Sequence, residues 1–165
     1  MISGKVIKYG DNVNTDVILP GKYLELTLNP TELARHAMEG LDPSFTRKVQ
    51  KRALIVAGKN FGCGSSREEA PLALKYAGVK CVLAESFARI FYRNAINIGL
   101  PVLECPMVSS EIDDEDELDI DLGTGVVRKH SKNLALRATR LPAFILEILS
   151  DGGLIEHLRK VMKSK

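Results

Sequence analysis

Apolar residues fall along this chain in two rhythms. Ala53 to Ala57, Lys80 to Ala84 and Pro101 to Cys105 are short, mostly apolar runs, the first with adjacent β-branched Ile55 and Val56, the pattern of buried strands. Between the first two, Leu72, Ala73, Tyr76 and Ala77 recur at helical spacing and Gly78 follows as a stop. Between the last two, Ser86 to Asn97 reads as a helix capped by Ser86 and ended by Gly99. Strand, helix, strand, helix, strand with short links predicts right-handed βαβ units in a parallel sheet.

The flanks have other rhythms. Lys5 to Ile7 reads as a first strand, and the polar stretch Asp11 to Pro20 as a loop. Asn29, Pro30 and Glu32 mark a helix start, and the helix is expected to run to about Glu39 before Gly40. Asp42, Pro43 and Ser44 open another turn. Later, Leu118, Ile120 and Leu122 alternate with acids, Gly123 to Gly125 turns, and Val126 to Lys129 returns. This is a hairpin whose acidic and basic strands can pair across it, and Leu134 to Ala138 extends the β-rich part. Pro142 opens a helix through Leu149, and Gly152-Gly153 separates it from a last one. With no repeat, linker or low-complexity tract, the whole chain, 1–165, reads as one α/β domain. It has a mixed sheet containing parallel βαβ units, a β-hairpin lobe and C-terminal helices.

Composition narrows the function classes. At 165 residues the chain can bury a real core. A formal charge of +2 argues against nucleic acid, which calls for a strongly basic face. No apolar run is long enough to span a bilayer, and Met1 to Lys5 lacks a signal peptide's apolar core; the expected location is cytoplasmic. The basic residues Arg47, Lys48, Lys51 and Arg52 read as a solvated face. Glu111 to Asp121 holds eight acids in eleven residues, but without the ligand alternation and central glycine of a calcium loop. Cys63, Cys81 and Cys105 are odd in number and widely spaced. Cys81 and Cys105 lie in apolar runs, where cysteine is a small buried hydrophobe. His36, His130 and His157 have no metal-ligand spacing, so no metal site is expected.

The chemistry concentrates in Lys59 to Pro71, KNFGCGSSREEAP. Gly62 and Gly64 let the backbone turn tightly and approach a ligand. Ser65 or Ser66 is placed to cap the following helix, and Glu68 and Glu69 suit its first turn. A helix N-terminus favours anions, and an arginine such as Arg67 grips a carboxylate through two parallel hydrogen bonds. A serine among amide dipoles and a guanidinium is favoured as its alkoxide. These residues point to a site for a carboxylate-bearing substrate with a serine poised for proton transfer. An ordinary capped helix with a solvated arginine is the competing reading of so short a pattern.

The longer run, N-F-G-x-G-S-S-R-E-x-A, resembles the signature of the mobile swivel domain of the aconitase superfamily. The stretch Asp11 to Pro20 is similar to that family's N-terminal motif, and Ser86 to Asn94 with Gly99-Leu100-Pro101 to its central one. Phe144 to Leu158 is similar to its C-terminal helix pair. The resemblance implies a swivel-like β/β/α fold and a separate small subunit of a two-chain hydro-lyase. It implies Ser65 as catalytic base, with Arg67, Ser66, Gly64 and Asp16 binding substrate. It implies a [4Fe-4S] cluster held by cysteines of a large partner subunit, in a heterodimer or heterotetramer, with none in this chain. Isolated, the small subunit can self-associate through the surface meant for its partner. Arg89 and Arg93, one helical turn apart, are further candidates for reaching the loop or the partner.

The segment Tyr23, Leu24, Glu25, Leu26 and Thr27 is where members of this family choose their substrate, a malate-like dicarboxylic acid. Homoaconitase-like chains carry an arginine after Tyr-Leu and isopropylmalate isomerases an apolar residue; here it is Glu25. A glutamate repels a third carboxylate, and leaves Leu24 or Leu26 to pack an alkyl group. The first expectation is interconversion of 2- and 3-isopropylmalate, in leucine biosynthesis. A homoaconitate-type or methylated-malate dehydratase, a non-catalytic anion-binding module and a structural subunit remain as alternatives.

Overall fold

A computed structural model describes residues 1–24 and 29–163. In chain order the elements are β1 (Ile2–Lys8), α1 (Thr15–Ile18), a 3₁₀ turn (Gly21–Tyr23), α2 (Pro30–Arg35), α3 (Phe45–Lys48), β2 (Leu54–Ala57) and α4 (Glu69–Ala77). There follow β3 (Cys81–Ala84), α5 (Arg89–Asn97), β4 (Val102–Glu104), α6 (Val108–Glu111), β5 (Glu117–Asp121), β6 (Val126–Lys129), β7 (Leu134–Arg137), α7 (Ala143–Ser150) and α8 (Leu154–Lys163). Among the described residues the strands form one mixed sheet in the order β4-β3-β2-β1-β5-β6-β7. No helix there is long and apolar enough to cross a membrane.

The βαβ prediction holds: β1 to β4 are parallel neighbours. β1 joins two kinds of sheet. Its end, Val6 to Lys8, pairs parallel with Leu54 to Val56, while its start, Ile2 to Lys5, pairs antiparallel with Ile120 to Glu117. The predicted hairpin forms as β5 and β6, with Asp119 opposite Arg128, and β7 completes the antiparallel half.

Alternation along each strand sends side chains to opposite faces. Ile7, Ile55, Ala57, Val82, Ala84 and Val102 share a buried cluster with Leu33, Ala70, Leu74, Phe91 and Ala95 of α2, α4 and α5. Val6, Leu54, Val56, Cys81, Leu83 and Leu103 face the other way, against Val108, Ile112, Leu118, Ile120 and Val127. The antiparallel half and α6 thus curl over the second face, giving β/β/α layering. This double burial is why β2 and β3 are apolar without interruption.

Three helix boundaries differ from expectation. α2 ends at Arg35, not Glu39, because Met38 takes a positive φ of 60° and its amide donates to the Ile18 carbonyl at 2.7 Å. α5 starts at Arg89 with Ala88 as its cap, since the Ser86 hydroxyl accepts from the Asn60 amide at 2.9 Å. α4 starts at Glu69 with Glu68 before it, so neither Ser65 nor Ser66 caps it. The basic cluster is also less solvated than expected: Arg52 pairs with Asp114 and Glu115, and Lys48 with Asp42.

Candidate active site

The loop leaving β2 lies at the C-terminal edge of the parallel strands, where open α/β sheets bind ligands. It is held on two sides. On one, Asp11 accepts from the Lys59 amide at 2.7 Å, the Asn60 side chain donates to that of Asn12 at 3.0 Å, and the Gly62 amide donates to the Val13 carbonyl at 2.7 Å. On the other, the Phe61 amide donates to the Ser86 carbonyl at 3.0 Å and the Ala88 amide to the Phe61 carbonyl at 2.9 Å. Phe61 meets Phe87 and Phe91 edge-on beneath. Gly62 has φ +78°, and a Cβ there would stand 2.1 Å from Phe91 Cγ. Only glycine fits that turn.

The loop then passes over α1. The Thr15 amide donates to the Cys63 carbonyl at 2.8 Å, and the Thr15 hydroxyl to the Ser65 carbonyl at 3.1 Å. Gly64 has φ +98° and lies against Thr15, a Cβ there coming to 3.3 Å from its hydroxyl oxygen. Backbone ties therefore fix Ser65 while its side chain is exposed. Neither the Ser65 nor the Ser66 hydroxyl has a hydrogen-bond partner among the described residues.

Arg67 turns inward, its side chain 18% exposed. Its Nη1 donates to the Asp16 carboxylate and, at 3.3 Å, to the Leu19 carbonyl. Asp16 sits in the first turn of α1, whose cap is Asn14, accepting from the Val17 amide at 3.0 Å. On the opposite side Gly21 lies against the guanidinium, so that a Cβ there would stand 3.3 Å from Nη2. Nη2 and Nε keep their N–H groups free of hydrogen-bond partners among the described residues.

The structure thus brings Gly64, Ser65, Ser66, Arg67 and Asp16 into one neighbourhood. Tyr23 and Leu24 are partly buried against the same core, and the Tyr23 hydroxyl is bonded to Glu39. Glu25, Leu26 and Thr27 lie outside the described residues. Thr15, Gly21 and the Leu19 carbonyl were not singled out by sequence reasoning, although Thr15 and Leu19 lie within the Asp11 to Pro20 motif and the Pro20-Gly21 pair is itself a turn signal. Arg89 and Arg93 line a separate cleft of about 310 Å³ with Phe87, Tyr92, Glu104 and Thr139.

The cysteines do not form a ligand set. Cys81 and Cys105 are buried in the core, and burial pushes the Cys105 thiol up to about 11 and the Cys81 thiol further. Cys63 is partly exposed in the loop. Among the described residues no three His, Cys, Asp or Glu side chains gather where a metal ion would sit, so these residues do not fit an iron–sulfur cluster.

Residues 12–107 match the aconitase C-terminal domain family. The 3-isopropylmalate dehydratase small subunit of Halothermothrix orenii is 57% identical over 162 residues, covering 98% of each chain. The isopropylmalate/citramalate isomerase small subunit of Methanocaldococcus jannaschii is 54% identical, covering 98% of this chain and 96% of its own. A crystal structure of 3-isopropylmalate dehydratase from the latter organism superposes with a TM-score of 0.90 at 48% identity, over 99% of this chain and 97% of that one. With the glycine–serine loop, Asp16 and the central motif all inside the matched segment, the chain belongs to the aconitase C-terminal domain family, among the 3-isopropylmalate dehydratase small subunits.

Proposed function

We propose that this chain is the small subunit of a cytoplasmic two-chain hydro-lyase that interconverts 2- and 3-isopropylmalate by dehydration and rehydration. It acts there as one swivel-type domain spanning 1–165. The observation that carries the reading is a serine on a loop tied to α1 through Thr15, its exposed hydroxyl without a hydrogen-bond partner among the described residues, beside an arginine whose Nη2 and Nε likewise have none there. The relatives' names favour isopropylmalate over the homoaconitate, binding-module and structural alternatives.

In this reading the substrate carboxylate docks on Nη2 and Nε of Arg67, while Asp16 and the Leu19 carbonyl hold Nη1 and so orient the fork. Ser65, as alkoxide, removes the proton on the carbon that neighbours the hydroxyl-bearing one. Electrons of that C–H bond form the alkene as the hydroxyl departs with its own pair. Water then adds across the double bond with the opposite regiochemistry, and Ser65 returns the proton. The loop amides and Arg67 stabilise charge that develops on the carboxylate. A [4Fe-4S] cluster in the large subunit supplies the Lewis acid that a departing hydroxide requires. The active species is therefore the heteromer, and Gly64 and Ser66 shape the wall next to the base.

The test is anaerobic mixing of this chain with its cluster-bearing large subunit. Alkene absorbance is followed with isopropylmalate, homocitrate and methylated malates in parallel. Turnover with isopropylmalate and none from either subunit alone is the expected result. Turnover with a different acid alone would move the substrate, and silence with all of them beside an intact cluster would overturn the enzymatic reading.

A further inference from the structure

Arg67 is held between two walls, and the walls are joined to each other by Tyr23, Glu39 and residues 38–40. One wall is α1, through Asp16. The other is the 3₁₀ turn, through Gly21. Residues 38–40 are fastened to α1: the Met38 amide donates to the Ile18 carbonyl at 2.7 Å, and Gly40 packs so closely that a Cβ would meet Val17 Cα at 2.8 Å. Glu39, between them, reaches the other wall. Its two carboxylate oxygens accept from the Tyr23 hydroxyl at 2.7 and 2.9 Å.

The Tyr23 ring is braced on its faces. His36 stacks on it, centroids 3.7 Å apart and 11° from parallel, while its Nδ1 lies 2.7 Å from Glu39 Oε2. Lys22 places its ammonium 4.7 Å from the ring centroid and 3.6 Å from Glu39 Oε1. The Tyr23 hydroxyl, the His36 ring and Lys22 hold the Glu39 carboxyl below the usual carboxylate range. The contacts close a circuit: Arg67, Asp16, Val17, Gly40, Glu39, Tyr23, Gly21 and Arg67 again.

We propose that Tyr23, His36 and Glu39 are positioning residues, a clamp that sets the spacing of the two walls around Arg67 and so the aim of its Nη2 and Nε at the substrate carboxylate. This rests on the reading of Arg67 as the carboxylate-binding residue. A tyrosine that spans two segments with its hydroxyl on a carboxylate fixes both ends of the link. Removing that hydroxyl leaves both walls folded and still continuous along the chain through Leu19 and Pro20, but without the cross-link from Tyr23 to Glu39.

The test uses the reconstituted two-chain enzyme with Tyr23→Phe, Glu39→Ala and Glu39→Gln. Losing a hydrogen bond to a charged acceptor, expressed in part through Arg67, raises KM for isopropylmalate about 3- to 10-fold in Tyr23→Phe and Glu39→Ala while kcat stays within about twofold. Glu39→Gln, which keeps an acceptor oxygen for Tyr23, recovers most of the loss. Because the clamp acts through Arg67, Tyr23→Phe adds no further KM penalty in an Arg67→Lys background. Unchanged KM in the single variants, or fully additive penalties, would overturn the clamp with the enzymatic reading intact. A crystal structure of the full-length Glu39→Ala chain reads the clamp without any turnover. Arg67 displaced from Asp16 and Gly21 supports it, and Arg67 in its original seat overturns it.

Discussion

Two residues of the candidate site owe their form to single atoms. At Gly62 the positive φ and the approach to Phe91 both exclude a side chain. Gly62→Ala is expected to cost about 2–4 kcal/mol, from backbone strain plus displacement of a core aromatic. Thermal unfolding of the isolated chain would show this as a lowered Tm, and an unchanged Tm would mean that Phe91 yields freely. At Arg67 the geometry of the fork carries the role. Arg67→Lys keeps the charge but loses the paired N–H groups, so KM is expected to rise about 10- to 100-fold with kcat less affected. Kinetics on the assembled enzyme check this, and unchanged constants would remove Arg67 from the binding site. The residue types here were legible in the sequence, as glycines, serines and an arginine in one run. That Asp16 shares the site with Arg67 was expected only through family resemblance, and their direct contact across 51 positions was not read from the sequence at all.

Among the elements, strands read most directly from the pattern. β2 and β3 are buried on both faces, and a run such as Leu54 to Ala57 has few other places to go. Helix ends were harder, because tertiary partners claimed the groups that local rules assign to caps. Ser86 bonds the Asn60 amide, and the Met38 amide bonds Ile18, both across long sequence gaps. The turn at Asp42 did follow local chemistry, accepting from the Ser44 amide at 3.1 Å and hydroxyl at 2.6 Å.

That carboxylate also takes bonds from Lys48 at 2.8 Å and Tyr9 at 2.9 Å. Partial burial works against its charge, yet the bonds from Lys48, Ser44 and Tyr9 outweigh burial and bring its pKa down to about 2. The unfolded chain therefore takes up the proton first as pH falls. The contribution of Asp42 is whole above about pH 4 and is lost toward pH 2. Asp42→Asn should lower stability at neutral pH, by on the order of 1 kcal/mol once solvent screening is allowed for, and flatten the acid limb of the unfolding curve. Parallel acid limbs for the two proteins would contradict this.

For the molecule as a whole, the parallel half with its helices was legible because its links are local. What the sequence did not show is how β1 divides its pairing between two halves, or that β5 to β7 curl back over the sheet. Both follow from long-range burial: Leu118, Ile120 and Val127 can cover Val6, Leu54 and Val56 only by that fold. The curl leaves the edge carrying the serine loop open, with Ser65 on the surface and Arg67 sunk beside it. Such a half-site is suited to closing against a second subunit that brings the remaining chemistry.

The account turns on Ser65 as the base. The most direct measurement is kcat of the reconstituted enzyme carrying Ser65→Ala, with subunit assembly followed by sedimentation. Loss of a positioned base predicts a fall of about 10²- to 10⁴-fold in kcat with assembly intact. Turnover near the wild-type rate in a fully assembled heteromer would contradict it and leave the loop as a binding surface without a base.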